Sequence, residues 1–517
     1  MASSLPVPFV RHNGGMGPVA RIAAAVLAAS LGAVLMPMAA TQVAAAESLE
    51  WSACTGRLLG DGGFECARLV VPMDRDDPAA GTFDLAVARH RSSGAPSERI
   101  GSLFVNPGGP GGSGLDILPT VWESLPPSIR ARFDVVTWDP RGIGSTRPAL
   151  RDCATPFPDR PETGAVDWAA VVRGFERTMR AANRACQQAN AAFIEHMGTN
   201  EVVQDLDRLR EAVGDDRLTY WGMSYGTRIG YVYALAFPDR VRAVILDGSI
   251  DPASTLLSLT EGGAGPDQAY GVFADAQPQA AAQWRELQAV LGERTVPLPG
   301  GQVLDRWVLA DAIYGSVAQQ GSYPGIATLI GFAHAAVLGT GSEQEAAAAT
   351  LSPTVRVLRR LPNSNAGGAF ATVNCLDYPG RPGLGRMVAA VRAQVRLAPD
   401  YGGSLSTMYA TNCAGLSLTP DPVPLITGPG PDVPVLVLGA TRDGSTVVEW
   451  TARMSRAFPQ SRTVTYAGGQ HVTWLFAESA CVNRVADAYI LSERLPAMDR
   501  ACRNTVRPVP ASASPAG

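Results

Sequence analysis

Gly222-Met223-Ser224-Tyr225-Gly226 fits the pattern G-x-S-x-G, and what flanks it decides the fold. Residues 218–221 before it form a short apolar run with strand character. Residues 225–237 after it have helical spacing. A serine at a sharp strand-to-helix turn needs neighbours without clashing side chains, hence a glycine on each side. Such a turn lifts the hydroxyl above the sheet and aims the helix N-terminus at the reacting centre. The plainer alternative, an ordinary strand-to-helix turn, predicts no chemistry here.

The same rhythm extends outward in both directions. Residues 100–105 are an apolar run ending in Asn106-Pro107-Gly108-Gly109-Pro110-Gly111-Gly112-Ser113-Gly114. Residues 133–138 end in Asp139-Pro140-Arg141-Gly142, and residues 69–71, 83–87 and 241–246 also read as strands. Residues 168–190 and 202–213 have helical spacing. Alternation of this kind predicts a mostly parallel sheet covered on both faces. It stops near Ile250. Residues 251–425 are rich in Ala, Gly and Gln with a mainly helical pattern, and strands resume at 433–438 and 463–466. The expected organisation is an α/β core in two parts, 47–250 and 426–502, interrupted by a large helical cap over 251–425. The Pro/Ala/Ser-rich tail, 503–517, is expected to be disordered.

A serine hydroxyl is a weak nucleophile without a base. His471 is the only histidine after His334, and it lies in Gly468-Gly469-Gln470-His471, just past the 463–466 strand. His12 falls near the N-terminus, while His90, His196 and His334 sit in strand-like or helical stretches and read as surface or core residues. The acid should follow an earlier strand, and Asp443 follows 433–438 through Gly439-Ala440-Thr441-Arg442. A carboxylate there can accept from the imidazole and fix its tautomer. Asp432 lies at the wrong end of that strand. The order Ser224, Asp443, His471 is the chain order of α/β-hydrolases. Two backbone amides should bind the oxyanion: Tyr225, next to the serine, and Gly109 of the glycine-rich loop, with Gly108 next in line. That loop lacks the G-K-[ST] ending and the G-x-G-x-x-G spacing of a nucleotide-binding loop.

Together these segments resemble a known group. The 106–114 loop, Asp139-Pro140-Arg141-Gly142-Ile143-Gly144-Ser145, and Gly222-Met223-Ser224-Tyr225-Gly226-Thr227-Arg228 are similar, in that order, to motifs of secreted actinobacterial tripeptidyl aminopeptidases. These sit among the proline iminopeptidase-like serine peptidases of the α/β-hydrolase fold. Asp443, Thr446, Glu449-Trp450, Gln470-His471, Cys481 and Cys502 resemble their TAP-like C-terminal region. The resemblance implies the α/β-hydrolase fold, Ser224 as nucleophile, Asp443 as acid and His471 as base. It also implies release of short units, tripeptides above all, from free peptide N-termini beneath a helical cap. Relatives include carboxylesterases and endoproteases, so an esterase acting on non-peptide esters is the alternative. Two departures stand out. Asp443-Gly444-Ser445-Thr446-Val447 lacks the prolines of the family's Asp-Pro-x-Thr-Pro, and the cap near residues 273–277 lacks a cysteine pair. An aminopeptidase also needs an acid for the substrate's ammonium; Glu261, Asp267 and Asp275, near the start of the cap, are the candidates.

Composition narrows the function classes. The chain has 517 residues, 46% hydrophobic and 17% charged, with net charge -4, which argues against a nucleic-acid binder. It contains no lysine, which excludes lysine Schiff-base and Ser-Lys chemistry. Arg11 and Arg21, the apolar stretch 22–35 and Ala44-Ala45-Ala46 read as a secretory signal over residues 1–46, an uncleaved membrane anchor being the alternative. Its removal would take the charge from -4 to -6, and no later stretch reads as a membrane span. Export makes the eight cysteines readable as disulfides. Their clustering suggests Cys54–Cys66, Cys153–Cys186, Cys375–Cys413 and Cys481–Cys502. With no CxxC motif or Cys/His cluster, no metal site and no cofactor are expected. The expected partner is a peptide substrate, and the oligomeric state is left open. A catalytically silent binding protein is the remaining rival, which the intact Ser224, Asp443 and His471 argue against.

Overall fold

Twelve strands and their intervening helices make up the computed structural model, which describes residues 49–56, 59, 60, 62–359 and 365–503. The expected signal segment lies outside the described residues, as does the expected tail 503–517 except for Arg503, which is paired in a strand rather than disordered. Ten strands form one sheet in the order β1-β2-β3-β5-β4-β6-β7-β10-β11-β12. They are β1 (Ser52–Ala53), β2 (Phe64–Pro72), β3 (Thr82–His90), β4 (Gly101–Asn106), β5 (Phe133–Trp138), β6 (Leu218–Met223), β7 (Val241–Asp247), β10 (Val435–Ala440), β11 (Arg462–Ala467) and β12 (Arg500–Arg503). From β5 across to β12 every neighbouring pair is parallel; β1, β2 and β3 join antiparallel at the other edge.

Side-chain alternation explains why the sheet is buried on both faces. Phe104, Val136, Tyr220, Val244 and Val437 pack into the core on one face. Leu103, Val105, Val135, Trp221, Ile245 and Leu438 pack into the core on the other. Successive residues of a strand point to opposite faces, so near-continuous apolar strands of this kind can only be central. The strand pattern at 433–438 is displaced: β10 starts at Val435, because Pro434 has no N–H to give to a ladder.

Between β7 and β10 the chain is mostly helical, with one small hairpin, β8 (Val296–Leu298) and β9 (Gln302–Leu304). This insertion has two parts with different loyalties. Phe273, Trp284, Leu309, Ile313, Ile330 and Val355 form a core of their own. Cys375, Tyr378, Cys413 and Leu416 instead belong to the core on one face of the sheet. Gln320–Leu338 is long and apolar enough by length and composition to cross a membrane, a correction to the sequence reading that no later stretch is. In the fold, Ile326, Ile330, Ala333, Ala336 and Val337 of this stretch are buried in the insertion. Disulfides join Cys54–Cys66, Cys153–Cys186, Cys375–Cys413 and Cys481–Cys502.

Candidate active site

Ser224 sits at the turn between β6 and the helix Gly226–Ala236, with φ of 53°. A non-glycine residue with positive φ is uncommon, and such strain is held only where the surroundings over-determine it. Here Ser224 N–H donates to the Asp247 carbonyl at 2.9 Å, and the Ser224 carbonyl accepts from Thr227 N at 2.9 Å and Thr227 Oγ1 at 2.6 Å. The turn also requires bare backbone: a Cβ on Gly222 would lie 2.3 Å from the Gly226 carbonyl oxygen.

The glycine-rich loop after β4 packs directly on this turn. Gly108 has φ of +90°, and a Cβ there would stand 2.3 Å from the Met223 carbonyl oxygen and 2.9 Å from the Tyr225 nitrogen. Gly108 N–H donates to Asn106 Oδ1 at 2.9 Å, so it is already committed. Among the described residues, the amides of Gly109 and Tyr225 donate to no protein group.

His471 and Asp443 meet at the ends of β11 and β10. His471 Nδ1 lies 2.9 Å from both Asp443 carboxylate oxygens. Asp443 is fully buried, and it also accepts from Ser445 N at 2.8 Å, Thr446 N at 2.9 Å and Thr446 Oγ1 at 3.0 Å. These donors hold the carboxylate in one orientation. The turn 443–446 thus closes through the acid itself, without the prolines of the family's motif. Burial alone would depress the His471 imidazolium, but the charge and hydrogen bond of Asp443, with a further contribution from Asp247, leave its pKa raised. The imidazole lies against the residue after β7, since a Cβ on Gly248 would be 2.9 Å from His471 Cε1. His471 N–H donates to the Ala318 carbonyl at 2.7 Å, which ties the loop to the insertion.

The three candidate ammonium partners are placed differently. Glu261 accepts from Trp450 Nε1 and Arg453, each at 3.2 Å, and is partly exposed; its neighbour Gly262 lies against the Ser445 carbonyl of the acid's turn. Asp267 gives both oxygens to the amides of Asp400 and Tyr401 at 3.0 Å, and burial pushes its carboxyl up to about 6. Asp275 is exposed, 3.9 Å from Arg442. His90 is stacked on Trp122, and His334 pairs with Glu286 at 2.6 Å.

Sequence motifs outside the turn prove to be struts. Asp139 accepts from Ser113 Oγ and Ser145 N, both at 2.7 Å, and so links the glycine-rich loop to the β5 loop. Arg141 makes a buried two-pronged contact with Asp205, at 2.5 and 2.8 Å. Arg228 and Thr199 both reach Asp377 of the insertion, at 2.8 and 2.6 Å. The Tyr225 hydroxyl completes that network through Thr199 at 2.7 Å. Sequence reasoning missed Asp377, Thr199 and Asp247. For Asp247 the signal was a carboxylate at a strand end, in Leu246-Asp247-Gly248.

A description of the alpha/beta hydrolase fold matches residues 101–295, and that of TAP-like proteins matches residues 398–502. Serine protease Hip1 of Mycobacterium tuberculosis is 30% identical over 485 residues, covering 88% of this chain and 91% of its own. The chain belongs to the α/β-hydrolase family. This α/β-hydrolase is also similar to a tripeptidyl aminopeptidase of Streptomyces lividans, 28% identical over 492 residues, covering 90% of this chain and 89% of the relative. Carboxylesterase B of Mycobacterium tuberculosis is 30% identical over 461 residues, with coverage of 84% and 86%. The family and these relatives make the chain a serine hydrolase. A cavity of about 310 Å³ in this hydrolase is lined by Phe157, Phe175, Phe370, Met408 and Tyr409, among other uncharged residues. Phe370 is stacked on Tyr409 at 5.7 Å. Phe370 shares its helix with Ala366 and Ala369, which lie against Gly111 of the glycine-rich loop.

Proposed function

We propose that Ser224, Asp443 and His471 form a catalytic triad and that the protein is an exported exopeptidase releasing short units, tripeptides above all, from free peptide N-termini. The observation that carries the chemistry is the His471 Nδ1–Asp443 contact of 2.9 Å, at the C-terminal ends of the strands, where Ser224 is held in a left-handed turn. With Nδ1 turned to the acid, Nε2 is left to serve the hydroxyl. His471 takes the Ser224 proton as Oγ attacks the carbonyl carbon, and the Tyr225 and Gly109 amides bind the oxyanion. The imidazolium then gives its proton to the departing amine. Water, deprotonated by the same His471, hydrolyses the acyl-enzyme and regenerates Ser224.

Exopeptidase action is supported by the relation to the Streptomyces tripeptidyl aminopeptidase and by a partly exposed acid whose neighbour Gly262 lies against the turn of Asp443. Glu261 is that acid; Asp267 has spent its oxygens on backbone amides, and Asp275 faces solvent. The uncharged cavity under Phe370 and Tyr409 gives room for an apolar side chain of the acyl group. Four disulfides support an oxidising, extracellular destination. The second reading, an esterase, is favoured by the carboxylesterase relative. Rates on tripeptide amides with free and acetylated N-termini separate the two. The exopeptidase reading expects acetylation to abolish turnover, and an unchanged rate defeats it.

A further inference from the structure

We propose that Asp247 is a positioning residue that holds the His471 loop against the Ser224 turn. The proposal rests on the triad reading above. Asp247 ends β7, which lies between β6, leading to Ser224, and β10, leading to Asp443. Its main chain and its side chain face different partners. The carbonyl accepts from Ser224 N at 2.9 Å. Oδ1 accepts from Thr473 N at 2.8 Å and Thr473 Oγ1 at 3.1 Å, and Oδ2 accepts from Trp474 N at 2.8 Å. The next residue, Gly248, donates to the Leu438 carbonyl of β10 at 3.0 Å and lies against the His471 ring. One strand end therefore reaches the serine's turn, the acid's strand and the histidine's loop.

The loop needs such a clamp because its backbone is strained. Val472, immediately after His471, has φ of 63°, and Leu475 has φ of 68°. For a β-branched residue a positive φ is a genuine outlier, and it persists only when neighbouring bonds over-determine it. The carboxylate bonds to Thr473 and Trp474 fall inside this strained stretch, and all three residues are buried. Two carboxylates face the imidazole, Asp443 directly and Asp247 from the adjacent strand, and both favour its protonated form. Burial raises the Asp247 carboxyl to about 6, against the lowering effect of its bonds from Thr473 and Trp474 and of His471.

The test is Asp247→Asn, which keeps the shape but turns an amide NH2 toward the loop donors. For a tripeptide amide, kcat is expected to fall about 10- to 100-fold, the scale of a small misplacement of a catalytic group. KM should stay within about threefold, since no substrate contact is lost. The acidic limb of kcat/KM should move to lower pH, because one of the two charges that raise the His471 pKa is gone. Thr473→Val removes one donor and leaves the charge, so a smaller fall in kcat with an unmoved limb is expected. An Asp247→Asn enzyme within twofold of wild-type kcat overturns the proposal, and so does a fall in kcat with no shift of the limb. Should Asp247→Asn fail to fold, Thr473→Val decides, and an unchanged kcat there overturns it. Fluorophosphonate labelling separates the levels. If wild-type Ser224 does not label, the triad reading itself fails. If it labels and the Asp247→Asn rate is unaltered, only the positioning claim fails.

Discussion

The ends of β6, β7, β10 and β11 and the helical insertion above them are built on opposite terms. At the strand ends, polar groups are few, buried and fully engaged: Asp443 takes hydrogen bonds from three residues, and Asp247 joins the serine's turn to the histidine's loop. The insertion meets the site through backbone and amide contacts at Ala318 and Gln319 and through the buried Asp377, and its remaining nearby groups are apolar or partly exposed. Phe370 and Tyr409 wall an uncharged cavity, and Glu261 Oε2 accepts from both Trp450 and Arg453. Backbone geometry fixes the first region, so it serves one chemistry. Side-chain packing fixes the second, so it can be retuned without disturbing the reaction.

The contrast breaks if substitutions at the strand ends alter substrate choice, or if substitutions in the insertion abolish turnover. The largest effect is expected from Ser224→Ala: a loss of about 10⁴-fold or more in kcat, with thermal unfolding within a few degrees of wild type. A variant that keeps a tenth of its activity would remove Ser224 from the chemistry. Asp443→Asn should cost about 10³- to 10⁴-fold. Its remaining activity should also respond to pH differently. His471 has a pKa raised above the ordinary histidine value, so wild-type kcat/KM should rise with pH through that raised value as the base loses its proton. Without Asp443 the limb should lie at lower pH, and a limb that stays put would show that the two groups are not coupled.

In the insertion, Glu261→Gln is expected to lower kcat/KM for free-amino tripeptide amides by about 10-fold or more while leaving simple esters within about twofold. Equal losses on both substrates would assign Glu261 to structure through Trp450 and Arg453. The smallest effect belongs to Met408→Trp, which fills the cavity. Substrates with bulky apolar side chains should lose several-fold in kcat/KM relative to alanine peptides, with Ser224 labelling unchanged. Uniform behaviour across the series would disconnect the cavity from substrate choice.

Sequence legibility follows the same division. The central strands announced themselves because burial on both faces demands unbroken apolar runs, as in Leu103-Phe104-Val105. Ser224 and Asp443 were legible as candidates because each follows such a strand, and His471 because it follows a shorter alternating one and is the last histidine of the chain. The edge strand β12, Arg500-Ala501-Cys502-Arg503, carries no such run and was not found. The β8–β9 hairpin was hidden inside an otherwise helical composition. Contacts such as Asp247 with Thr473, 226 residues apart, leave no local pattern at all. The aspartate reads as a turn former until the loop that needs it is in place.

The pairing of Arg228 with Asp377 limits how the enzyme can breathe. Arg228 lies on the helix that starts at the serine's turn, Asp377 ends the insertion helix Asn365–Asp377, and both are buried. Swinging that helix away would strand two opposite charges without partners, at a cost of several kcal/mol. A clamshell opening hinged across this side is therefore closed to the molecule. The stretch between Gly265 and Leu358 carries an apolar centre of its own, yet Ala318 within it accepts from His471 N–H at 2.7 Å, so this side too is fastened to the site.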